Sequence, residues 1–475
     1  MEEVTSRPEP DPGCPKCAEL SARVAELEAE LVQALKRIKE LEARLNENSS
    51  NSHRPPSSDP PNAPKRPGKP KTGRKRGGQI GHKGTRRELF PPEEVDHFVH
   101  HRPECCENCH ASLPTESRPG DPPPERHQVT ELPEKLFEVT EHQVHTTTCD
   151  RCGHVNKGEL PAEVAGSNFG PRLAAVATFL LAACHVSRRR VREFFTDVVR
   201  TPIALGTVSN MEREATAALK EPYEEAAEAV SAAGVKNVDE TSWKQSGTTQ
   251  WLWVAATPLL ALFAVANRGA DGLRKLLGEK LFGVLVSDRL RVYNARAKRF
   301  RQICWSHLNR DFRKLIARGG PEKVIGERLR AIGTGLFAVW RDFKAGEIDR
   351  ETLIRCLRPL RAELKSILQD GARLEGYKCA IFCENLLLLE PALWTFMRVE
   401  GVAPTNNHAE RTLRTGVLWR KMSFGSQSDR GCEFVARVLT VVQSRRLQNK
   451  PVVEFLVEAL RSHRESRPAP SLLPS

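Results

Sequence analysis

Three acidic residues stand where they can share divalent metal ions. Asp239 and Asp288 each close a short apolar run, and Glu410 lies in a later segment with helical periodicity. Two aspartates at strand ends and a glutamate on a helix supply the oxygen ligands that magnesium or manganese prefers. A pair of such ions drives in-line attack on a phosphodiester. The three acids therefore predict metal-dependent phosphoryl transfer.

A structural role is the alternative for each acid, because an aspartate at the end of a strand is usually a turn or capping residue. Glu240 and Asp311 are alternative carboxylates for the site. The order of the three acids and the basic cluster after Glu410 favour catalysis, since arginine and lysine grip phosphate oxygens. The cluster comprises Arg411, Arg414, Arg420 and Lys421.

The segments around the two aspartates predict an α/β core. Short apolar runs separated by turn residues predict a three-stranded meander, and a helix, a strand, a second helix and a last strand follow. The seven predicted elements cover, in order, residues 235–239, 251–256, 260–266, 271–281, 284–287, 291–298 and 302–305. Three strands, helix, strand, helix, strand is the order of a ribonuclease-H-like core.

Such a core would bring the acids together. Asp239 falls on the first strand and Asp288 at the end of the fourth, and these positions are neighbours at the carboxyl edge of the sheet. Residues 310–400 follow a helical pattern and predict an insertion before the helix that begins near Asn407. That helix would project Glu410 toward the aspartates.

The charge of the chain predicts a polyanionic partner. The 475 residues carry a net charge of +13, and the isoelectric point is about 9.2. This balance favours DNA or RNA over a membrane, although solubility alone is the alternative. The sequence has neither a transmembrane run nor a signal-peptide core, so we expect a cytoplasmic protein that keeps its thirteen cysteines reduced.

Residues 18–47, within a predicted N-terminal segment 1–47, have the pattern of a coiled coil. Apolar side chains recur alternately four and three residues apart over about four heptads. The seam comprises Leu20, Val24, Leu27, Leu31, Ala34, Ile38, Leu41 and Leu45. We expect self-association into a dimer or higher state, with a single helix packed on its own domain as the alternative. Cys14 and Cys17 precede the seam, and a lone pair lacks the ligands of a metal site.

A basic linker is predicted at residues 48–88. Its first part is rich in Asn, Ser and Pro and is expected to be disordered. From residue 60 to residue 87 there are ten Lys or Arg and no acid. Such an arm can follow phosphates or enter a minor groove, so Arg74, Lys75 and Arg76 are predicted DNA contacts. A merely solvated linker is the alternative.

Two cysteine pairs predict a zinc ribbon at residues 89–166. The four expected ligands are Cys106, Cys109, Cys149 and Cys152. Their Cys-x-x-Cys spacing suits a tetrahedral zinc site, and residues 137–144 between the pairs can form strands of the ribbon. Cys105 or His110 can replace one ligand, and four thiols without metal are the alternative.

Residues 167–230 predict a helix-turn-helix-like domain that binds DNA. An apolar face marks the first helix, an arginine-rich segment starts the second, and a turn at residues 202–207 precedes the third. The third helix, opened by Thr207 or Ser209, is the candidate for reading a groove. A small helical bundle without DNA binding is the alternative. The basic residues expected at the DNA are Arg188, Arg189 and Arg190.

Several sequence blocks carry a resemblance to a known family. They read Val-Asp-Glu-Thr-Ser-Trp at 238–243, Trp-Leu-Trp-Val at 251–254, Val-Ser-Asp-Arg at 286–289 with Tyr293, Arg-Gln-Ile-Cys-Trp-Ser-His-Leu-Asn-Arg-Asp-Phe at 301–312, Asn-Asn-His-Ala-Glu-Arg-Thr-Leu-Arg at 406–414, Trp-Arg-Lys at 419–421 and Phe-Gly-Ser at 424–426. They resemble transposases of the insertion-sequence-66 family, and the coil, linker and paired cysteines follow the family's order over residues 14–450. One departure is His53-Arg54, where relatives often have a lysine before the prolines.

The resemblance implies a DDE transposase with a ribonuclease-H-like core and two divalent metals, with Asp239, Asp288 and Glu410 on the family's three acids. We therefore expect binding of transposon ends and target DNA, cleavage and strand transfer, and help from accessory proteins of the same element. His307 can orient a phosphate or water, and a structural role for it stays open. The alternatives are a non-catalytic DNA-binding repressor derived from a transposase, and a nuclease of the same fold that does not join ends.

The predicted fold class is multidomain, with a coiled coil, a zinc ribbon, a helix-turn-helix-like domain and a ribonuclease-H-like α/β core that carries a helical insertion. The core is split around the insertion, and a C-terminal tail ends the chain. The predicted boundaries are 1–47, 48–88, 89–166, 167–230, 231–309, 310–400, 401–450 and 451–475.

Overall fold

A computed structural model describes residues 15–48, 88–116, 118–161, 164 and 166–474. The chain divides into two compact units, one of residues 1–65 with 141–475 and one of residues 66–140. The N-terminal helix and the α/β core both belong to the larger unit. The predicted DNA contacts of the linker lie outside the described residues; they are Arg74, Lys75 and Arg76.

Helices make up most of the larger unit. They form where apolar residues recur three and four positions apart, and Ser187, Asp349 and Ser428 each cap a helix N-terminus with a side-chain oxygen. In chain order the helices are α1 (Pro15–Leu45), α2 (Pro171–Ala182), α3 (Arg188–Asp197), α4 (Leu205–Ala218), α5 (Lys220–Ala232), α6 (Ala270–Leu277), α7 (Trp305–Arg318), α8 (Gly320–Ala345), α9 (Arg350–Ala372), α10 (Lys378–Leu388), α11 (Thr395–Arg398), α12 (Asn407–Ser423), α13 (Asp429–Leu447) and α14 (Val452–Arg464).

The strands of the described residues form two sheets. They are β1 (Thr146–Thr148), β2 (Val155–Lys157), β3 (Val235–Gln245), β4 (Thr248–Ala256), β5 (Ala261–Ala266), β6 (Val284–Ser287) and β7 (Arg301–Ile303). β1 and β2 pair with each other, and the other five form a mixed sheet in the order β5-β4-β3-β6-β7. β3, β4 and β5 are an antiparallel meander, whereas β6 and β7 run parallel to β3. The predicted meander and the α/β character of the core are thus present.

Helix α13 covers the edge of the sheet at β5. The backbone amide of Phe263 donates to Thr440 Oγ1, and that of Ala261 donates to Ser444 Oγ, each at 3.0 Å. These hydroxyls give the edge amides the partners that a neighbouring strand would otherwise supply. The α13 side of the sheet is therefore a buried interior.

The predicted DNA-binding helices share one hydrophobic core with the sheet. Buried side chains of α2, α3 and α4 form a single cluster with those of β4, β5, α13 and α14. α14 lies in residues 451–475, where the sequence predicts a tail, and its Phe455, Leu456 and Leu460 are buried in this core. Apolar residues on the inner face of α14 explain the difference, because their burial ties the C-terminus down.

The helical insertion predicted at residues 310–400 is present as most of α7 and α8 to α11. These helices enclose a second hydrophobic cluster, which also includes Val284, Val286 and Ile303 from β6 and β7. The insertion therefore packs on the outer face of the last two strands.

Three local predictions differ from the structure. Residues 137–144 are extended without strand pairing, and the strands β1 and β2 instead flank the second cysteine pair. The helix expected at 291–298 is two short 3-10 turns, Arg291–Ala295 and Lys298–Phe300. The last strand ends at Ile303, because Trp305 already begins α7.

Helix α1 is a single long helix whose predicted seam residues are exposed to solvent. Its end lies near α7, where Lys314 forms an ion pair with Glu47. Self-association through the seam stays a prediction. Among the described residues, no helix combines the length and the apolar character needed to cross a membrane.

Candidate active site

The two predicted catalytic aspartates lie at the same level of the sheet. β3 and β6 are parallel neighbours, and Asn237 pairs with Val286. Two residues further along each chain, this register brings Asp239 beside Asp288, where β6 has just ended. Asp288 thus follows the carboxyl end of β6, whereas Asp239 lies within β3, which continues beyond this level to Gln245.

Helix α12 brings Glu410 to this edge through a buried asparagine at its start. The Asn406 side chain donates to the carbonyl of Val238 at 2.8 Å and accepts from Asn237 Nδ2 at 3.0 Å. Its backbone amide donates to Cys304 Sγ at 3.1 Å. Asn406 therefore fixes the first turn of α12 both to β3 and to the start of α7, one turn before Glu410.

The remainder of α12 is held flat on the sheet. A Cβ at Gly416 would clash with Leu252 of β4, so glycine permits a close approach of the helix here. Arg420 donates to Thr241 Oγ1 at 3.0 Å and to the Ser242 carbonyl at 2.7 Å, which ties the last turn to β3. The helix that carries Glu410 is thus anchored along its whole length.

The three half-buried acids form a cluster of negative charge. Burial, together with the charges of Glu240, Asp288 and Glu410, raises the pKa of Asp239 well above its usual range. A cation placed among these carboxylates would relieve both the repulsion and the desolvation of their charge. Asp239, Asp288 and Glu410 offer hard oxygen donors, which fit magnesium or manganese.

Glu240, an alternative carboxylate in the sequence, is engaged by partners of its own. Tyr293 donates its hydroxyl to Glu240 Oε2 at 2.6 Å, and Arg268 donates to Oε1 at 3.0 Å. Arg268 also stacks on the Trp251 ring, 4.0 Å from its centroid. Burial and the charge of Asp288 raise the pKa of Glu240, while these two donors act against the rise.

The turn after Asp288 is held by a buried arginine. Asp288 Oδ1 accepts the Leu290 amide at 2.8 Å. Arg301 of β7 donates to the Asp288 carbonyl at 3.1 Å and to Asn294 Oδ1 at 2.6 Å. Burial lowers the pKa of Arg301 to about 10, and the negative charge of Asp288 acts against that shift. These bonds explain why the chain at 291–298 forms 3-10 turns instead of a helix.

Two residues of α7 approach Glu410. His307 Nδ1 lies 3.4 Å and an Arg310 guanidinium nitrogen 3.6 Å from Glu410 Oε1. In the part of the chain that the structure describes, Cys304, His307 and Glu410 are the one group of three possible ligands with donor atoms within 4.8 Å of one another. Burial raises the pKa of Cys304 to about 11, so its sulfur suits the amide of Asn406 as a neutral thiol better than it suits a metal as a thiolate.

Asp311, the other alternative carboxylate, lies one turn beyond His307 on α7. It forms an ion pair with Arg289 at 2.6 Å. Asp288, Arg289, His307 and Asp311 line a cavity of about 220 Å³. Asp311 therefore borders the site from the α7 side without joining the pair of aspartates on β3 and β6.

The predicted phosphate-binding cations of α12 differ in their surroundings. Arg411, Arg414 and Lys421 are exposed, whereas Arg420 is bonded to β3 and burial lowers its pKa. The exposed three are arranged on the outer side of the helix that carries Glu410. DNA binding by these residues stays a prediction, and Arg420 already has a structural role.

The helix-turn-helix-like segment consists of α2, α3 and α4. Arg188 donates twice, at 2.8 Å, to the buried carboxylate of Glu212 and so links α3 to α4. Arg189 and Arg190 are exposed and line a concavity of about 470 Å³. On α4, which begins two residues before Thr207, Thr207 and Ser209 are half-buried. DNA binding by this segment stays a prediction.

Each cysteine pair lies in a tight turn. In the smaller unit, the His110 amide donates to the Cys106 carbonyl at 2.9 Å, and the amides of the third and second residues after Cys106 lower the pKa of its thiol. In the larger unit, the Gly153 amide donates to the Cys149 carbonyl at 2.8 Å, and the amides of the second and third residues after Cys149 lower its pKa. Zinc binding by the pairs stays a prediction.

Comparison with known proteins gives one informative match. A family model described as "Transposase IS66 family" matches residues 166–434, more than half of the chain. A second model, described as "Family of unknown function (DUF6444)", matches residues 7–88. No curated protein matches the chain. The first match contains the sheet, the insertion and all three acids.

Proposed function

The chain belongs to the IS66 family of transposases, and from this we propose that it cleaves and joins DNA at transposon ends by a DDE mechanism. The observation that carries the proposal is that Asp239 and Asp288 lie side by side on β3 and after β6, and that α12 brings Glu410 close enough for its charge to act on Asp239. Burial and the other acids raise the pKa of Asp239, and a cation bound among the carboxylates would offset this unfavourable charge. The strand order β5-β4-β3-β6-β7 supports a ribonuclease-H-like core.

We assign the metal-holding role to Asp239, Asp288 and Glu410. Membership of a DDE-type family implies divalent metal use, and the oxygen donors fit magnesium or manganese. When bound, such ions lower the pKa of an attacking water and neutralise the charge that develops at the phosphate. Asn406 and Arg301 position these ligands. Asn406 holds the start of the helix that carries Glu410, and Arg301 holds the turn after Asp288.

The first reaction in this mechanism is attack by water on the phosphodiester at a transposon end, which releases a 3′ hydroxyl. In the same active site, that hydroxyl then attacks a phosphodiester of the target DNA. A new P–O bond joins the transposon end to the target, the old P–O3′ bond breaks, and the target strand is released with a 3′ hydroxyl. Arg411 and Arg414 follow Glu410 on the exposed side of α12 and would hold phosphates near the acids. His307 and Arg310 lie against Glu410 and would orient its carboxylate.

A strand-transfer assay tests this function. Full-length protein is mixed with a labelled, pre-cleaved transposon end, a target plasmid and magnesium or manganese. Joined product is expected with the wild type and is expected to vanish in Asp239→Asn, Asp288→Asn and Glu410→Gln while end binding persists. Asp271→Asn is the matched control, because Asp271 is an exposed acid on α6 that pairs with Arg274.

The other outcomes identify the alternatives. Joining that survives in Asp288→Asn would remove the proposed site. End binding without cleavage or joining by the wild type, even with the neighbouring proteins of the element added, would favour the repressor. Cleavage without joining would favour a nuclease.

We also propose that Cys106, Cys109, Cys149 and Cys152 bind zinc. The turn around each pair is of the kind that presents two thiolates to one metal. Purified protein is then expected to contain zinc, and Cys106→Ser and Cys149→Ser should each lower its zinc content. Stoichiometric zinc in both variants would contradict the assignment.

The predicted DNA-binding surface comprises the helix-turn-helix-like segment and the basic linker. Arg189 and Arg190 are the exposed arginines of α3, and their replacement by alanine should weaken binding of end DNA and reduce its salt dependence. Unchanged salt dependence would remove α3 from the DNA surface.

A further inference from the structure

The last turn of α12 and its C-cap expose three large apolar side chains. The exposed fractions are 47% for Leu418, 68% for Met422 and 79% for Phe424. They lie on the helix that carries Glu410, beyond the exposed Arg411 and Arg414. Large apolar side chains exposed together at the end of the helix that carries Glu410 indicate a place where another molecule binds.

Phe424 has a backbone conformation that is unfavourable for a residue with a large side chain. Its φ is +60°, in the left-handed region, at the C-cap position that glycine or asparagine usually occupies. A bulky residue is strained in this conformation. The conformation is nevertheless well held, because the Phe424 amide donates to the Arg420 carbonyl at 2.8 Å and the Ser426 amide donates to the Lys244 carbonyl at 2.8 Å. The ring is therefore presented outward by a fixed loop.

The positive charge around these apolar side chains favours a negatively charged partner. From Arg411 to Ser428 the sequence contains four basic residues and no acid. Arg411, Arg414 and Lys421 are exposed, so the same helix carries exposed cations before and among the apolar side chains. A polyanion with apolar stacked faces fits such a surface better than a second protein does, and duplex DNA has both features.

We propose that Phe424, supported by Met422 and Leu418, inserts between base pairs of the transposon end and unstacks them. The proposal rests on the proposed DNA-joining function. Fourteen residues separate Glu410 from Phe424, which along a helix is about 21 Å. At about 3.4 Å per base pair, the unstacked step lies roughly six base pairs from the phosphate held at the acids. The side chain thus sets the register of the end in the active site.

Permanganate footprinting tests the insertion, because the reagent oxidises unstacked thymines. Full-length protein is bound, with calcium in place of magnesium, to duplexes that carry one transposon end and thymines at successive positions. Wild-type protein is expected to expose thymines at one step about six base pairs from the scissile phosphate. Phe424→Asn should abolish the reactivity and weaken end binding roughly tenfold, as expected for one lost stacking contact.

Three variants distinguish the loss of insertion from a general loss of stability. Asparagine tolerates the left-handed region, so Phe424→Asn should melt at the wild-type temperature or above. Phe424→Trp should keep the reactive step. Phe282→Asn is the matched control, since Phe282 is an exposed phenylalanine that follows α6, and it should also keep the step.

Four results would overturn the proposal. Equal thymine reactivity in Phe424→Asn and wild type would exclude insertion, as would a bound wild-type end with no reactive thymine; both leave the joining function intact. A change of mass by light scattering in Phe424→Asn, with the footprint unaltered, would assign the surface to contact between copies. Failure of the wild type to bind any end DNA would remove the joining function as well.

Discussion

At the scale of residues, the most informative group is the carboxylate of Glu240, which lies beside the proposed metal ligands but is not one of them. Glu240 follows Asp239 on β3, yet its carboxylate is taken up by Tyr293 and Arg268. Tyr293 belongs to the 3-10 turn that begins three residues after Asp288. The hydrogen bond between Tyr293 and Glu240 therefore joins the strand that carries Asp239 to the turn that follows Asp288.

We expect Tyr293→Phe to impair strand transfer more than it impairs folding. The ring would still pack edge-on against Trp253, so only the hydroxyl is lost. A hydrogen bond to a charged group contributes about 1.5 to 3 kcal/mol, and the free energy of unfolding should fall by about that amount. Single-turnover joining should slow while the affinity for end DNA stays the same. Urea unfolding and a quenched joining time course measure the two effects.

Tyr223→Phe is the control for this prediction. Tyr223 donates its hydroxyl to the Phe263 carbonyl at 3.0 Å, away from the acids. Its loss should cost about 0.5 to 1.5 kcal/mol of stability and leave the joining rate unchanged. If both variants slow joining in proportion to their loss of stability, the role of Tyr293 is structural alone.

At the scale of elements, α12 is fixed at its far end by the loop that follows it. The Ser246 amide donates to the Ser426 carbonyl at 2.9 Å, and Trp243 Nε1 donates to Ser426 Oγ at 3.2 Å. Gly425 lies between the end of α12 and Ser426. Its φ is +110°, and a Cβ at this position would clash with the Lys244 carbonyl. The glycine allows the loop to close on the hairpin between β3 and β4.

Gly425→Ala and Gly346→Ala should therefore differ in cost although both glycines have positive φ. Gly346 ends α8 at a φ of +79° in open space, so alanine there should cost about 1 kcal/mol. At Gly425 the backbone clash adds to the strain, and we expect a loss of about 3 kcal/mol or more. Urea unfolding of the two variants measures the difference. Equal losses would mean that the loop can move away from the hairpin without cost.

The elements that local pattern specifies were predictable, and those that distant contacts specify were not. Short apolar runs separated by turn residues were sufficient to predict the meander, and the placement of Asp239 on its first strand and of Asp288 after β6 followed from the order of the strands. The clamp made by Asn406 joins residues 168 positions apart, so no local periodicity indicates it. The first 3-10 turn after Asp288 is likewise bonded to other strands, through Asn294 to Arg301 of β7 and through Tyr293 to Glu240 of β3.

Two arginines with partners inside the protein show the same limit. Arg188 and Arg420 stand in basic clusters, where sequence favours contact with phosphate. In the structure each is bonded inside the protein, Arg188 to Glu212 and Arg420 to β3. Charge density along the chain does not distinguish a cation that faces solvent from one that satisfies a buried partner, because the partner is distant in sequence.

At the scale of the whole molecule, the charges of α1 bear on how copies would assemble. If Val24 and Leu27 occupy the a and d positions of a heptad, Arg23 falls at g and Glu28 at e, and Arg37 with Glu42 repeats the pattern two heptads later. In a parallel pair of helices each g residue faces the e residue five positions later on the partner. Both pairs would then be attractive.

An antiparallel pair would lose this match. It would set e positions against e positions, so that Glu28 of one copy approaches Glu42 of the other, and like charges there are unfavourable. The seam is fully available for either arrangement, since its leucines are exposed in the single chain. The charge pattern therefore favours a parallel, in-register dimer, and a parallel coil would hold two catalytic units on the same side.

Cys17 can report the orientation, because it lies seven residues before Val24 and so occupies an a position. In a parallel dimer the two Cys17 thiols face each other across the seam and can form a disulfide with ordinary geometry. In a Cys14→Ser background, mild oxidation should give a reducible cross-linked dimer that Cys17→Ser abolishes. A dimer by light scattering with no Cys17-dependent cross-link would indicate antiparallel helices, in which the two thiols lie at opposite ends of a coil about 45 Å long.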